Sequence, residues 1–370
     1  MITINEELGL TLPPVTEDTF PDPVDPATIL ALDIETTGLS ARDNCIYLIG
    51  CAVMERGRFM LRQWFAETES EEREVLAAFW GFAGAYSTLL HYNGTRFDIP
   101  FLQERFSKYG IADLFEPMAS IDLYRFAKPL KDVFGLPDLK QKTVEKFLGW
   151  ERTDTYGGKE LIEVYRAYGR EKRESQRKAL LLHNADDIRG LLSLLPVLSY
   201  RKLSDDLDGL RVTKAQAKGY DDIHGNRKWE LYLELDLPAQ LPAPINLNRD
   251  GCFLRADNTR ATLRIPLYDT EMKYFYAGWR DYFYLPEEDT ALHKSVAEYV
   301  DKAYRIKATP ATCYTRKKSQ YLQQWDALFE PYFRPSYEDT SLYFELTQER
   351  KTSREDLARY AQHVIRHVLG

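Results

Sequence analysis

The sequence predicts an α/β protein, with a sheet and helices over residues 28–203 and a smaller α+β domain of antiparallel strands over 218–370. Three observations carry this expectation. Three strand-like apolar runs follow one another after residue 28, and helical and strand patterns then alternate to about Leu198, as in an α/β sheet. Past residue 205 the texture changes to alternating polar and apolar residues around turn clusters, the mark of antiparallel strands. The length of 370 residues also exceeds the usual single domain.

In chain order, residues 1–27 read as an acidic, proline-punctuated leader, loosely ordered or draped over the surface. TILALDIE has the length and apolar character of a buried strand. CIYLIGCAVM and RFMLRQWFAE give two more strands, joined by a turn at Glu55-Arg56-Gly57-Arg58. Residues 71–86 open with acids and then space apolar residues as a helix does. STLLHYN is another short strand, and IPFLQERFSKYG a helix stopped by Gly110. A boundary is expected near residues 203–218, where charge and glycine cluster. Beyond it, WELYLELDL, CFLRADNTRATLRIPLYD and KYFYAGW read as strands, and ALHKSVAEYVDKAYRI and REDLARYAQHVIRHVL as amphipathic helices.

Composition narrows the class. Hydrophobic residues at 44% and charged residues at 29% are ordinary for a globular chain. No run of eighteen apolar residues exists to span a membrane, and the N-terminal stretch lacks the pattern of a signal peptide. Cys45, Cys51, Cys252 and Cys313 lack CxxC spacing, so they read as reduced thiols in a cytoplasmic protein, not as a disulfide framework or zinc site. The net charge of −8 arises entirely within residues 1–200. That argues against coating nucleic acid by bulk charge, but leaves room for an enzyme gripping a few phosphates through metals and a local basic patch.

The strongest motif is Asp33-Ile34-Glu35-Thr36-Thr37-Gly38-Leu39. Residues two apart on a strand share a face, so Asp33 and Glu35 project together. Paired acids ending an apolar strand are costly without a cation; carboxylate oxygens suit Mg²⁺ or Mn²⁺. Gly38 would let the backbone pass closely by a substrate end. The bland alternative is an edge strand with two solvated acids. In HYNGTRFDIPFL, Asp98 falls at a loop-to-helix junction, where it would serve a site or merely cap the helix, and Asn93-Gly94 would serve a site or merely turn the chain. In His183-Asn184-Ala185-Asp186-Asp187, four-residue spacing puts His183 and Asp187 on one helix face. An imidazole and a metal-binding acid are what phosphodiester hydrolysis requires, although a solvated polar face has the same pattern.

The order DIETTGL, YNGTRFDIPFL, HNADD resembles the three exonuclease motifs of the DEDD superfamily. It is most similar to the YprB-like branch of ribonuclease H-like proteins, whose third motif is likewise His-Asn-x-x-Asp. The intervening DLKQKTVEKFLGW is similar to a segment that family-B polymerase proofreading domains keep between their second and third motifs. The resemblance spans residues 28–200. It implies a ribonuclease H-like mixed sheet flanked by helices and a 3′–5′ exonuclease using two divalent ions, Mg²⁺ or Mn²⁺. Asp33 would bind or bridge the first ion with Glu35 and Asp187, Asp98 would serve the second, and His183 would orient or deprotonate the water. Thr36, Gly38, Leu39, Asn93 and Phe97 would contact the substrate, DNA or RNA presenting a single-stranded 3′ end. One departure is visible: histidine-type members usually separate His and the last Asp by five positions and tyrosine-type members by four, whereas here a His stands at four. A structure-selective endonuclease on the same fold, or a catalytically silent scaffold for nucleic acid or protein, are the alternatives.

The second domain carries no recognised motif. Seven aromatic residues fall between Tyr274 and Tyr284, and Arg316, Lys317 and Lys318 form a basic run. Such a mixture suits base stacking and phosphate contact, and equally suits cross-strand packing.

Overall fold

The computed structural model describes residues 1–10, 15, 19–20, 22–152, 157–204 and 207–370. Of the expected leader, residues 11–14, 16–18 and 21 therefore lie outside the described residues, as do 205–206 at the expected boundary. The chain divides into two units, Met1–Arg201 and Lys202–Gly370.

The first unit is built on six strands: β1 (Ile2–Glu7), β2 (Ile29–Thr36), β3 (Ile46–Glu55), β4 (Arg58–Phe65), β5 (Thr88–His91) and β6 (Ala119–Asp122), in the order β1-β4-β3-β2-β5-β6. Strands β2, β3 and β4 are antiparallel neighbours, and β5 and β6 continue the sheet parallel to β2. The sheet is thus mixed. Residues Ile46–Val53 of β3 are all buried, so both faces of this strand are covered and its sequence is almost unbroken in apolar residues. Arg56 and Gly57, both at positive φ, make the two-residue turn that sends the chain back as β4.

Ile2–Glu7 differs from the loose leader that was expected, because ITINEE alternates and pairs antiparallel with β4 from Ile2↔Phe65 to Glu7↔Met60. Ile2 and Ile4 turn partly inward while Thr3 and Asn5 face out. Four acids and five prolines downstream gave the segment its polar look, but two isoleucines at period two suffice for an edge strand.

Among the described residues, helices α1 (Glu72–Ala83), α2 (Asp98–Tyr109), α3 (Leu123–Ala127), α4 (Gln141–Phe147), α5 (Gly158–Glu171) and α6 (Glu174–Ser193) accompany the sheet. Val75, Leu76 and Phe79 of α1, Phe101, Leu102 and Phe106 of α2, and Tyr165 and Tyr168 of α5 share one core with Leu30, Leu32, Leu48 and Phe65 of the sheet. A buried ion pair ties these layers. Glu72 accepts from Arg105 Nε at 2.8 Å, from Tyr109 Oη at 2.8 Å and from the Ile46 amide at 2.8 Å, and Arg105 Nη1 reaches the Ala41 carbonyl at 2.9 Å. Every strong donor around Glu72 is thereby used.

The second unit is mainly antiparallel sheet. Strands β7 (Arg211–Asp221), β8 (Arg227–Asp236), β9 (Ile245–Arg249), β10 (Cys252–Asp257) and β11 (Arg260–Phe275) lead into β12 (Tyr282–Leu285), β13 (Thr290–His293), β14 (Ile306–Lys307), β15 (Tyr314–Gln324), β16 (Tyr332–Phe333) and β17 (Leu342–Glu345). The sixteen-residue β11 pairs with β8 and β10 through its first half and with β15 through its second. REDLARYAQHVIRHVL forms the helix Arg354–Leu369, burying Leu357, Tyr360, Ala361, Val364, Ile365 and Val368. ALHKSVAEYVDKAYRI does not form one helix. Its start pairs with β12 as β13, a single turn follows at Lys294–Ala297, and its end becomes β14. Val296, Tyr299, Tyr304 and Ile306 are exposed, so no apolar helix face is buried there to outweigh the strand pairing. Among the described residues no helix is long and apolar enough to cross a membrane, and all four cysteines are buried and unpaired.

Because Glu72 is buried with Arg105 as its cation, Arg105→Met should strand a carboxylate and cost about 3–5 kcal/mol of stability. Urea unfolding of this variant beside E72Q/R105M would check it, the double variant losing less.

Candidate active site

The site grows from a gap in the sheet. Strand β5 pairs with β2 only from Ile29 to Ala31, so β2 runs on past its parallel neighbour with one edge free. The loop after β5 fills this gap. Asp122 of β6 accepts from the Asn93 amide at 2.7 Å and from Thr95 Oγ1 at 3.2 Å, and Asn93 sits at φ 61°. His91 Nδ1 accepts from the Gly94 amide at 3.0 Å, leaving Nε2 to donate to Ser120 Oγ at 2.8 Å; burial holds this imidazole below its ordinary pKa. So braced, the loop delivers Asp98 as the first residue of α2, with its Oδ1 accepting from the Ile34 amide of β2 at 3.3 Å. A helix start therefore supplies the acceptor that a neighbouring strand would otherwise provide.

Helix α6 closes the other side. Asn184 Nδ2 donates to Asp33 Oδ2 at 2.8 Å and to the Asp33 carbonyl at 3.3 Å, while Asn184 Oδ1 accepts from Gln63 Nε2 of β4 at 2.8 Å. This amide lies on the backbone of Gly50, directly opposite Asp33 in the sheet; a Cβ at Gly50 would stand 1.9 Å from Asn184 Oδ1. Any larger residue there would push α6 off the strand.

One helical turn places His183 and Asp187 toward the same acids. His183 Nε2 is 3.0 Å from Asp187 Oδ2 and 3.6 Å from Glu35 Oε1. Glu35, His183 and Asp187 each offer a ligand atom within 4.8 Å of the others, the spacing of a metal-binding group. Tyr47, buried against Tyr165 at 4.1 Å, directs its hydroxyl at Glu35 Oε2 from 3.5 Å. Asp33 and Asp98 stand beside this trio, each on its own anchor, within reach of its charge.

The electrostatics record the crowding. Burial, then the charges of Asp187, Glu35 and Asp98, pushes Asp33 well above the usual carboxyl range, against the pull of Asn184. Burial raises Glu35 to about 8 despite His183, and Asp98 to about 7 despite the amides it accepts from. Asp187 goes the other way: burial would raise it, but His183 and Arg152 outweigh burial and hold it below the ordinary range. Three acids thus resist ionisation in a cluster whose donor set, carboxylates with one imidazole, suits a hard divalent cation.

Of the other residues singled out from sequence, Thr36 is buried and donates to the Gly38 carbonyl at 2.8 Å, and Asn44 packs beside Gly38, so both serve the loop itself. Leu39 is 82% exposed beside an open hollow that Phe97, Arg42 and Arg96 also line. Phe97 packs its ring 5.5 Å from Phe101. In the second unit, Arg316 pairs with Glu271 and Asp289 at 3.2 Å and Lys317 with Glu345 at 2.6 Å, while Lys318 is exposed. Of the aromatics at 274–284, Tyr276, Trp279, Tyr282 and Tyr284 pack on a small core of Ala291, Ala308 and Cys313. Sequence reasoning passed over Asn184, Gln63, Tyr47 and Arg152. Asn184 stood inside a motif already quoted; the others come from parts of the chain where no pattern marks them.

Residues 30–199 match the family model of the RNase_H superfamily. The fold of this unit is RNase H-like. Comparison with curated protein sequences gives no match. Among solved structures, a family B DNA polymerase from the hyperthermophilic archaeon Pyrobaculum calidifontis is similar at 15% identity and TM-score 0.38, over 69% of this chain and 34% of that one. E. coli exonuclease I in complex with a 5cy-dA13 oligonucleotide is similar at 12% identity and TM-score 0.32, over 57% of this chain and 55% of that one. The product-bound form of exonuclease I gives 15% identity and TM-score 0.28, over 57% and 58%. The chain thus spans about a third of the polymerase and little over half of exonuclease I.

The raised acids of the RNase H-like unit have a consequence for stability. A carboxyl raised on folding holds its proton longer in the folded chain, so its stabilising effect is full below about pH 4, the unfolded value, and is lost as pH rises through the folded one. With Glu35 at about 8 and Asp98 at about 7, stability in EDTA should fall between pH 5 and pH 8. Asp187, lowered, acts oppositely and only at the acid end. Denaturant midpoints across this range should decline for the parent and flatten in E35Q/D98N, and Mn²⁺ should raise the parent's midpoint more at pH 8 than at pH 5.

Proposed function

We propose that this chain is a metal-dependent nuclease of the DEDD type, related to the YprB-like branch, that removes nucleotides from 3′ ends of DNA or RNA. The observation that supports it is the convergence of Asp33, Glu35, Asp98 and Asp187 from one strand and two helices on one cluster, in which the first three are held above the ordinary carboxyl range and Asp187 below it. Asp33, Glu35 and Asp187 would hold one Mg²⁺ or Mn²⁺, and Asp98 with Asp33 a second. Bound there, the two ions would polarise the phosphodiester and acidify the attacking water. His183 would hold or receive that water's proton at Nε2, the atom that lies between Asp187 and Glu35. Asn184 would keep Asp33 turned toward the pocket, and Tyr47 would do the same for Glu35. Leu39 and Phe97, which line an open hollow with Arg42 and Arg96, would meet the last bases of the strand. Lys318, exposed and with no acid paired to it among the described residues, would add a phosphate contact.

The deciding experiment is cleavage of end-labelled single-stranded and duplex oligonucleotides of DNA and RNA with Mg²⁺, Mn²⁺ or EDTA. Stepwise shortening from the 3′ end that needs a divalent ion and disappears in D33N and D187N is the expected result. Cutting of a 3′-blocked or circular substrate would point instead to an endonuclease, and metal-dependent binding without cleavage to a scaffold. H183A should be slower by about 10²–10⁴-fold with Mn²⁺ affinity nearly unchanged; equal rates from pH 6 to 9 would make His183 structural. K318E should reduce the salt dependence of oligonucleotide binding by about one in logarithmic slope.

A further inference from the structure

We infer that Arg152 and Glu145 are positioning residues that fix the Asp187 carboxylate for its metal. The inference rests on the metal-site reading above and concerns a layer of the protein behind it. Arg152 and Glu145 come from the segment between the second and third motifs, and both side chains are nearly buried, at 7% and 1% exposure. Arg152 spends one edge of its guanidinium on Glu145, with Nε 2.5 Å from Oε2 and Nη2 2.6 Å from Oε1. The remaining nitrogen, Nη1, donates to Asp187 Oδ1. Asp187 is thereby gripped on one oxygen by Arg152, while its other oxygen faces His183.

Glu145 is itself fixed. Gln141 Nε2 donates to Glu145 Oε1 at 2.9 Å and to the Asp187 carbonyl at 2.8 Å, so one amide binds both the brace and the helix it braces. On α6, one turn after Asp187, stands Gly190, whose missing side chain admits the carboxylate; a Cβ there would lie 1.9 Å from Glu145 Oε1. Four residues on two helices and a loop thus converge on one rotamer of Asp187.

Charge separates positioning from compensation. Were Arg152 present to neutralise the acidic pocket, a buried Glu145 forked onto it would defeat the purpose. Glu145 takes two of the three guanidinium nitrogens and Asp187 only one, so what Arg152 chiefly contributes to Asp187 is direction. Compensation and positioning therefore predict opposite signs. Removing a cation near a metal site strengthens metal binding if only charge matters, and weakens it if the ligand loses its orientation.

The test is Mn²⁺ binding to the full chain by isothermal titration calorimetry, with D187N as the reference for loss of the ligand. R152Q should bind Mn²⁺ about 10–100-fold more weakly, the range found when partners that orient a metal ligand are removed. R152K should also be weaker, since a single ammonium cannot hold Glu145 and Asp187 in one fixed fork. Because R152Q leaves Glu145 buried without its cation, E145Q/R152Q serves as the variant without a stranded charge, and it should show the same loss with native near-UV circular dichroism. Binding in either folded variant as tight as the parent's, or tighter, would overturn the inference while leaving the metal site standing. A parent chain that takes up no Mn²⁺ would instead remove the site itself, and the positioning role with it.

Discussion

The amide of Asn184 lies flat on the backbone of Gly50 and bonds Asp33 with one end and Gln63 with the other. Through this contact α6 is registered against β2, β3 and β4 at once, and its register decides where His183 and Asp187 fall. A shift of a single residue along α6 would rotate both away from β2 by about 100°, given 3.6 residues per turn. The loop that carries Asp98 depends on the same strand from the opposite edge, through the Ile34 amide. Strand β2 therefore carries Asp33 and Glu35, holds Asp98 through the Ile34 amide, and registers the helix that bears Asp187 through Asn184.

Two buried charge arrangements in this unit illustrate opposite solutions. Glu72 is surrounded by Arg105, Tyr109 and an amide, so its charge is spent within the protein and the group is purely architectural. Asp33, Glu35 and Asp98 receive an amide, a tyrosine hydroxyl and backbone N–H groups, and the imidazole beside Glu35, His183, is shared with Asp187. The first arrangement closes a core, and the second leaves charge to be met from outside. Both sets of carboxylates are withdrawn from solvent; their partners tell them apart.

Much of this was legible in the chain. The strands β2, β3 and β4 follow from apolar runs and a two-residue turn, and α1 and α2 from acids before apolar spacing and from Gly110. DIETTGL pointed to a shared face because period two is a property of any strand, and HNADD to another because i, i+4 is a property of any helix. What brought the two together was invisible, since it depends on Gly50 and Gln63, residues with no local signature. Arg152 was equally hidden: its role is set by a neighbour seven positions earlier and a helix thirty-five positions later. The segment 291–306 misled because its helical spacing was matched by equal strand propensity, and pairing with β12 decided the outcome.

Strand β1 bears on the behaviour of the unfolded and partly folded chain. Without it, β4 would present RFMLRQWF, rich in aromatic and aliphatic residues, as an open edge able to recruit a second molecule. The hydrogen bonds of that edge are taken by a strand whose second half is Asn5, Glu6 and Glu7, all exposed. Adhesive backbone is thereby exchanged for a short polar border whose acids, Glu6 and Glu7, pair with Arg189 and Arg58. Six residues outside the acidic cluster thus close the border of the sheet on which that cluster is built.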